Sequence, residues 1–205
     1  MPYSIEVVRS TEQYTTNWSG GTTTQIAIYP RQADYGQRTF IWRLSSAKVE
    51  LEHSTFTSLP GISRILMVLD GQIRLVHVGH HHAELKSFEQ DSFSGDWCTQ
   101  SFGKVRDFNL MMASNCKGRL TALTVEAKVS IQSFGDIYSE RHQHASVFYC
   151  VDSNIQCVFN EKYIYKLQAG DALILHSEQS SDKLNLKLSN GQSELAHVIQ
   201  VDLQY

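Results

Sequence analysis

A ten-residue pattern of this chain recurs 82 positions further on. Met67-Val68-Leu69-Asp70-Gly71-Gln72-Ile73-Arg74-Leu75-Val76 aligns without a gap on Tyr149-Cys150-Val151-Asp152-Ser153-Asn154-Ile155-Gln156-Cys157-Val158. Each copy sets apolar, strand-forming residues on both sides of Asp-Gly or Asp-Ser-Asn, which reads as strand, tight turn, strand: a hairpin. A Gly-Asp corner follows in each: Phe93-Ser94-Gly95-Asp96-Trp97, then Leu167-Gln168-Ala169-Gly170-Asp171-Ala172-Leu173. There the offset falls to 75, so the first copy carries seven extra residues, near Gly79-His80-His81-His82. The histidine run is therefore expected on a longer surface loop. Duplication of one β-unit restricts the chain to a duplicated β-fold.

The rest of the chain agrees with that restriction. Strands are expected at Thr23–Tyr29, Phe40–Leu44, Ala47–Leu51, Arg64–Leu69, Gln72–Val78, Val105–Met111 and Leu120–Lys128. Others are expected at Ser146–Val151, Ile155–Phe159, Tyr163–Leu167, Ala172–Leu175, Leu184–Leu188 and Leu195–Leu203. No long segment keeps apolar residues at helical spacing, and Thr11–Asn17 reads as a short turn of helix at most. The fold class is all-β, barrel or sandwich. With 205 residues the chain has room for two small barrels, divided as 1–120 and 121–205.

Composition removes several classes of partner. A net charge of −3 leaves no basic surplus for phosphates, which disfavours nucleic-acid binding. The longest apolar runs, such as Ile65–Leu69, are too short to span a bilayer. Met1-Pro2-Tyr3-Ser4-Ile5-Glu6 lacks the basic and apolar regions of a signal peptide, so the expected compartment is the cytoplasm. Cys98, Cys116, Cys150 and Cys157 show no CxxC spacing and are expected to be free thiols.

Two strand–turn–strand units with Gly-Asp corners resemble the cupin barrel, a small jelly roll, and a pair of them resembles a bicupin. A narrower resemblance is carried by Trp18-Ser19-Gly20-Gly21-Thr22 with Gln25-Ile26 and Tyr29-Pro30, and by Phe40-Ile41-Trp42-Arg43-Leu44-Ser45-Ser46-Ala47. Phe56-Thr57-Ser58-Leu59-Pro60-Gly61-Ile62-Ser63-Arg64, Phe93-Ser94-Gly95-Asp96-Trp97 and Val105-Arg106-Asp107-Phe108-Asn109-Leu110-Met111 continue it. In this order, across most of residues 17–111, the blocks resemble the HutD/Ves family. That resemblance implies a bicupin linked to histidine utilisation, with no family-wide catalytic activity.

Metal-binding cupins use two His of an HxH, a following Glu and a later His, donors suited to transition metals. The Glu position, seven before Gly71, is Arg64 here, and Thr57–Pro60 contains no histidine. The late histidine position is Cys98, so the first barrel is expected to be metal-free, with no cofactor. In the second barrel His142-Gln143-His144 echoes HxH, but Ser146 and Leu173 occupy the remaining ligand positions and His176 lies too far along. A two-ligand site there stays open beside the simpler reading of a polar strand edge. His80-His81-His82 reads as an exposed loop with adventitious metal affinity, since no carboxylate or thiolate lies at ligand spacing.

Period-two alternation puts Arg43 and Ser45 on one face, and Asp107 and Asn109 on one face of another strand. Arg64 stands where, in a metal cupin, a ligand points into the barrel. Two arginines, a carboxylate, an amide and a hydroxyl are thus expected around one cavity. Asp107 could pair with one arginine and leave the other to fork onto a ligand carboxylate. The competing expectation is internal salt bridges from Arg43 and Arg64 to Asp107 and to Glu50 or Glu52. His53 is expected near the mouth as a proton donor or sensor, or simply exposed. Trp18, Gly20 and Gly21 read as a packed turn with the indole capping the barrel end. Phe56, Phe108 and Met111 read as core, and Cys98 as a small buried hydrophobe.

No Gly-x-Ser-x-Gly elbow or Cys/His pairing marks a nucleophile. The favoured expectation is a metal-independent binding or regulatory protein for a small organic acid, such as urocanate or formylglutamate. Its ligand residues would be Arg43, Ser45, Arg64, Asp107, Asn109 and His53, and it could pair as a homodimer. An enzyme is the alternative: a metal-free isomerase or hydrolase using Asp107 and His53, or a second-barrel metal enzyme using His142 and His144. A structural dimerisation module with filled barrels is the third.

Overall fold

The computed structural model describes residues 3–127, 130–134, 143–177 and 184–205. It divides into two compact units, Gln13–Gly118 in one and Met1–Glu12 with Arg119–Tyr205 in the other. In chain order, β1 (Tyr3–Val8) precedes a 3-10 turn at Ser10–Glu12. The first unit then contributes β2 (Tyr14–Trp18), β3 (Gly21–Tyr29), β4 (Trp42–Val49), β5 (His53–Thr55) and β6 (Ser63–His77). It continues with β7 (His82–Lys86), β8 (Gln90–Ser94), β9 (Thr99–Phe102) and β10 (Val105–Met112). Next come β11 (Lys117–Val125), β12 (Ser130–Phe134), β13 (His144–Cys150) and β14 (Ile155–Phe159). The last are β15 (Tyr163–Leu167), β16 (Ala172–Ser177), β17 (Leu184–Asn190) and β18 (Ala196–Gln204). Among the described residues no helix is long and apolar enough to cross a membrane.

The first unit is one curled sheet in the order β2-β3-β4-β10-β6-β9-β5, with β7 and β8 also paired to β6. Leu66, Val68, Ile73, Leu75 and Phe93 form one core cluster there, and Phe40, Leu59, Ile62 and Met111 a second. The expected strands Phe40–Leu44 and Ala47–Leu51 are the single strand β4, since Ser45-Ser46 continues the alternation without a turn. Of Thr11–Asn17, only Thr11 and Glu12 lie in a short helical turn. Beyond Glu12 the segment becomes β2, whose threonines pair with those of β3, as β-branched side chains favour.

The repeated stretch is not a hairpin in either copy. Met67–Val76 lies inside β6, a continuous strand of 15 residues. Its first half pairs with β10 and β8 and its second half with β7 and β9. Gly71 makes the bend, at φ +87°, where an added Cβ would stand 2.6 Å from the Lys104 carbonyl oxygen. Opposite it, β10 shifts register between Arg106 and Asp107, as a bulge does. In the second copy the turn joins β13 to β14, which lie in different sheets. Both copies thus hand the chain to new partners instead of folding it back.

The second unit has two sheets, β1-β16-β13-β18-β11 and β12-β17-β14-β15. Phe148, Cys150, Leu173 and Val198 from the first meet Ile155, Cys157, Phe159, Leu186 and Leu188 from the second in one apolar core. Residues 3–12, expected with the first barrel, lie in this unit because β1 pairs with β16, from Tyr3↔Ser177 to Val8↔Ala172. The second Gly-Asp corner anchors them. The buried Asp171 carboxylate accepts hydrogen bonds from the Ser10 N–H (2.8 Å), the Gln168 N–H (3.0 Å) and Arg9 Nη1 (2.7 Å).

The four cysteines are free. Burial pushes the thiols of Cys116 and Cys157 up to about 12 and that of Cys150 to about 11. Cys98, expected to be buried, is exposed.

Candidate functional site

Three antiparallel strands build the wall of a cavity in the first unit. Met111 on β10 pairs with Arg43 on β4 and with Arg64 on β6, so these three share a row and a face. Two residues along, Asn109 pairs with Ser45, and Ser45 with Gln25 of β3. Two further along, Asp107 pairs with Ala47. Trp42, Leu44, Phe108 and Leu110 take the opposite face and are buried. The cavity so lined has a volume of about 530 Å³ and also draws on Tyr35, Phe56 and Trp18. That lies within the range of sites for small molecules, roughly 300–1,000 Å³.

Arg43 is fixed in its wall. Its Nε donates to Gln25 Oε1 (2.8 Å), its Nη1 donates to Ser45 Oγ (3.0 Å), and its guanidinium lies 4.2 Å over the Tyr35 ring. Arg64 is held differently. It is buried, with the adjacent rings of Phe56 (4.8 Å) and Phe93 (4.9 Å) packed on its guanidinium, while its Nε has no hydrogen-bond partner. Asn109 Oδ1 is likewise buried without a partner. Asp107 Oδ1 accepts one long bond from the Ala47 N–H (3.3 Å).

These environments displace the ionisation of both charges. Burial lowers Arg64 to about 10, against the opposing pull of Asp107. Burial raises Asp107 to about 7, against the Ala47 hydrogen bond and Arg64. Arg64 therefore carries its charge at neutral pH, and Asp107 titrates there.

The expected salt bridges are absent from this wall. Among the described residues no carboxylate lies within ion-pairing distance of Arg43 or Arg64; Glu50 pairs with Lys48 (2.8 Å) and Glu52 with Lys104 (2.9 Å). Arg43, Ser45, Arg64, Asp107 and Asn109 surround one cavity, but His53 does not line it. His53 is exposed, with its ring 4.7 Å from that of Phe102 on β9. Sequence reasoning missed Gln25 and Tyr35, and it read Phe56 and Met111 only as core. Trp18 is exposed; it lies over Gly20, as the packed turn requires, and also lines the cavity.

A sequence model described as HutD matches residues 10–196. The chain belongs to the HutD family. No curated protein matches it. Among solved structures it is similar to PA5104 of Pseudomonas aeruginosa PAO1, described as a conserved protein of unknown function. The TM-score is 0.80 at 26% identity, covering 98% of each chain. HutD from Pseudomonas fluorescens SBW25, solved in a formate condition, has TM-score 0.69 at 23% identity, covering 98% of this chain and 100% of that one. Oxalate decarboxylase of Bacillus subtilis, a bicupin, has TM-score 0.66 at 6% identity, covering 95% and 76%. The two units of this HutD chain are cupin barrels.

The metal that cupin barrels commonly hold does not fit the cavity of this HutD protein. The guanidinium of Arg64 projects where a carboxylate would be needed, and it would repel a cation. Thr57 and Leu59 offer no imidazole, and the exposed Cys98 does not line the cavity. In the second barrel His142 lies outside the described residues. His144 is buried. His176 pairs across the strands with Ala145, not His144, so the two imidazoles take opposite faces.

One expectation about the histidine run is corrected. A carboxylate does stand beside it: Asp91 Oδ2 lies 3.0 Å from His81 Nε2 and 2.8 Å from His77 Nε2. Burial lowers the His77 pKa below the usual imidazole value, and the hydrogen bond to Asp91 opposes it.

Proposed function

We propose that this HutD protein binds a small carboxylate metabolite in the first barrel, without a metal in the cavity, and serves a binding or regulatory role. The observation that carries this reading is Arg64: a buried, charged guanidinium with an unpartnered Nε, lining a cavity beside the unpartnered Asn109 Oδ1. A buried cation without a direct ion-pair partner costs several kcal/mol, and an anionic ligand forked on it would offset that. Each charge-assisted hydrogen bond formed would contribute about 1.5–3 kcal/mol. Arg43, already aligned by Gln25, Ser45 and Tyr35, supplies a second positive wall.

The HutD resemblance directs attention to histidine-utilisation acids, urocanate and formylglutamate, with formate as the minimal carboxylate probe. Thermal-shift titration with these three, on wild type and Arg64→Ala, tests the proposal. A ligand that binds only the native state raises Tm, by about 2.7 kcal/mol of added stability at a hundred times Kd. The expected result is a rise in wild type that Arg64→Ala loses. If none of the three stabilises wild type, the reading loses its support.

A second reading, proton-transfer chemistry on the bound acid, is favoured by Asp107, whose pKa near 7 suits a general base. Turnover of the stabilising acid, followed by NMR and abolished in Asp107→Asn, would replace simple binding with catalysis.

A further inference from the structure

A second constellation stands at the turn that joins β6 to β7, apart from the cavity. The turn is closed by two backbone bonds, from the His77 N–H to the His81 carbonyl (2.8 Å) and from the His80 N–H to the His77 carbonyl (2.9 Å). It brings His77, the last residue of β6, beside His81, and β8 presents Asp91 to both. His77 Nε2 lies 2.8 Å from Asp91 Oδ2, while His81 Nε2 lies 3.0 Å from that oxygen and 3.1 Å from Oδ1. All three ligand atoms fall within 4.8 Å of one another.

We propose that His77 Nε2, His81 Nε2 and an Asp91 oxygen bind one divalent transition-metal ion of the zinc type. Two imidazoles and a carboxylate are a donor set that such ions accept, leaving a fourth position open. The site is built from within. His77 is fully buried, and its other nitrogen, Nδ1, lies 2.8 Å from Thr99 Oγ1. That contact holds the ring in place and leaves Nε2 for the ion, the outer-shell arrangement that metal-bound histidines show. Phe93 and Trp97 pack on the same ring at 4.6 and 5.6 Å between centroids.

The spacing suits an ion after a small adjustment. Ligands of a tetrahedral zinc ion, bonded at 2.0–2.2 Å, stand about 3.3 Å apart. The two histidine–Asp91 gaps are a few tenths of an ångström smaller, and the His81 side chain, 40% exposed, is free to open them. His80 is stacked face-on against Trp97 at 3.9 Å and is not part of the set. His82 is exposed on β7. None of the three proposed ligands lines the first-barrel cavity, so the proposal stands independently of the carboxylate reading.

The test uses full-length, untagged, chelator-stripped protein titrated with zinc chloride by calorimetry, with visible spectra of the cobalt form. One equivalent of zinc is expected, with a tetrahedral cobalt spectrum. His81→Ala and Asp91→Asn should each weaken binding at least about tenfold, whereas His82→Ala should leave it unchanged. His81 is exposed, so the His81→Ala melting temperature in chelator should match wild type and separate lost binding from lost fold. Absence of saturable binding below about 100 µM zinc, or undiminished affinity in His81→Ala, would overturn the proposal. So would binding that depends on His82.

Discussion

Arg64 and Asp107, both buried, line the same cavity, each in the other's field, yet no ion pair joins them. The register explains it. Arg64 faces Met111 across β6 and β10, while Asp107 faces Val68, four residues along β10. Four residues of strand span about 13 Å, and the Phe56 and Phe93 rings packed on the Arg64 guanidinium hold it at its own end. A closed pair would have pulled the Asp107 carboxyl below its ordinary value; here burial prevails and raises it.

Replacing Arg64 by methionine should not cost stability. The substitution removes a buried, unpaired cation and keeps a flexible apolar stem against Phe56 and Phe93. Such exchanges are neutral or stabilising by about 1–3 kcal/mol, a rise of about 2–4 °C in Tm for each kcal/mol in a chain of this size. Calorimetry of ligand-free protein checks it. A loss of more than about 2 kcal/mol would mean that Arg64 is a structural residue.

Asp107 should impose a pH dependence on folding. The folded chain holds this proton up to about pH 7, whereas an ordinary carboxyl releases it near 3.8. Between those values the native state binds the extra proton, so stability falls as pH rises through the window. The contribution is on the order of 4 kcal/mol. Denaturant unfolding from pH 4 to 8 should show that slope in wild type and a flatter profile in Asp107→Asn.

The same ionisation should govern ligand affinity. Above pH 7 the Asp107 carboxylate opposes an anionic guest and partly neutralises Arg64. Kd for a stabilising carboxylate should weaken severalfold between pH 6 and 8 in wild type and stay level in Asp107→Asn, as read by calorimetry. Equal slopes in both proteins would dissociate Asp107 from the bound acid.

Arg43→Lys keeps the charge and loses the planar fork that meets Gln25, Ser45 and the Tyr35 face. Carboxylate affinity should fall about tenfold, since an ammonium cannot reproduce both the stack and the fork. Unchanged affinity would confine Arg43 to the wall of the cavity.

Gly71→Ala and Gly61→Ala separate crowding from backbone strain. Both glycines have positive φ, but a Cβ at Gly71 meets the Lys104 carbonyl at 2.6 Å, and one at Gly61 meets nothing within 4 Å. Urea titration should show a loss of about 2–3 kcal/mol for Gly71→Ala and about 1 kcal/mol for Gly61→Ala.

Period-two alternation is a local property, and it carried the sequence reading far. The shared face of Arg43 and Ser45, and that of Asp107 and Asn109, needed only the pleat of one strand. The paired repeats pointed to two barrels of one kind. Asp-Gly, by contrast, suits a reversal and a bend equally well, and only the partners of β6 decided for a bend. The placement of β1 likewise depended on which strand edge was open to receive it.

Short-range patterning in the chain alone thus determined the fold class and which side chains alternate inward. Tertiary structure decided the rest: that Gln25 and Tyr35 clasp Arg43, that His53 lies outside the cavity, and that Asp91 meets His77 and His81. Those meetings are set by register between strands far apart in sequence. Register is fixed only when whole faces are buried together, so no local spacing encodes it.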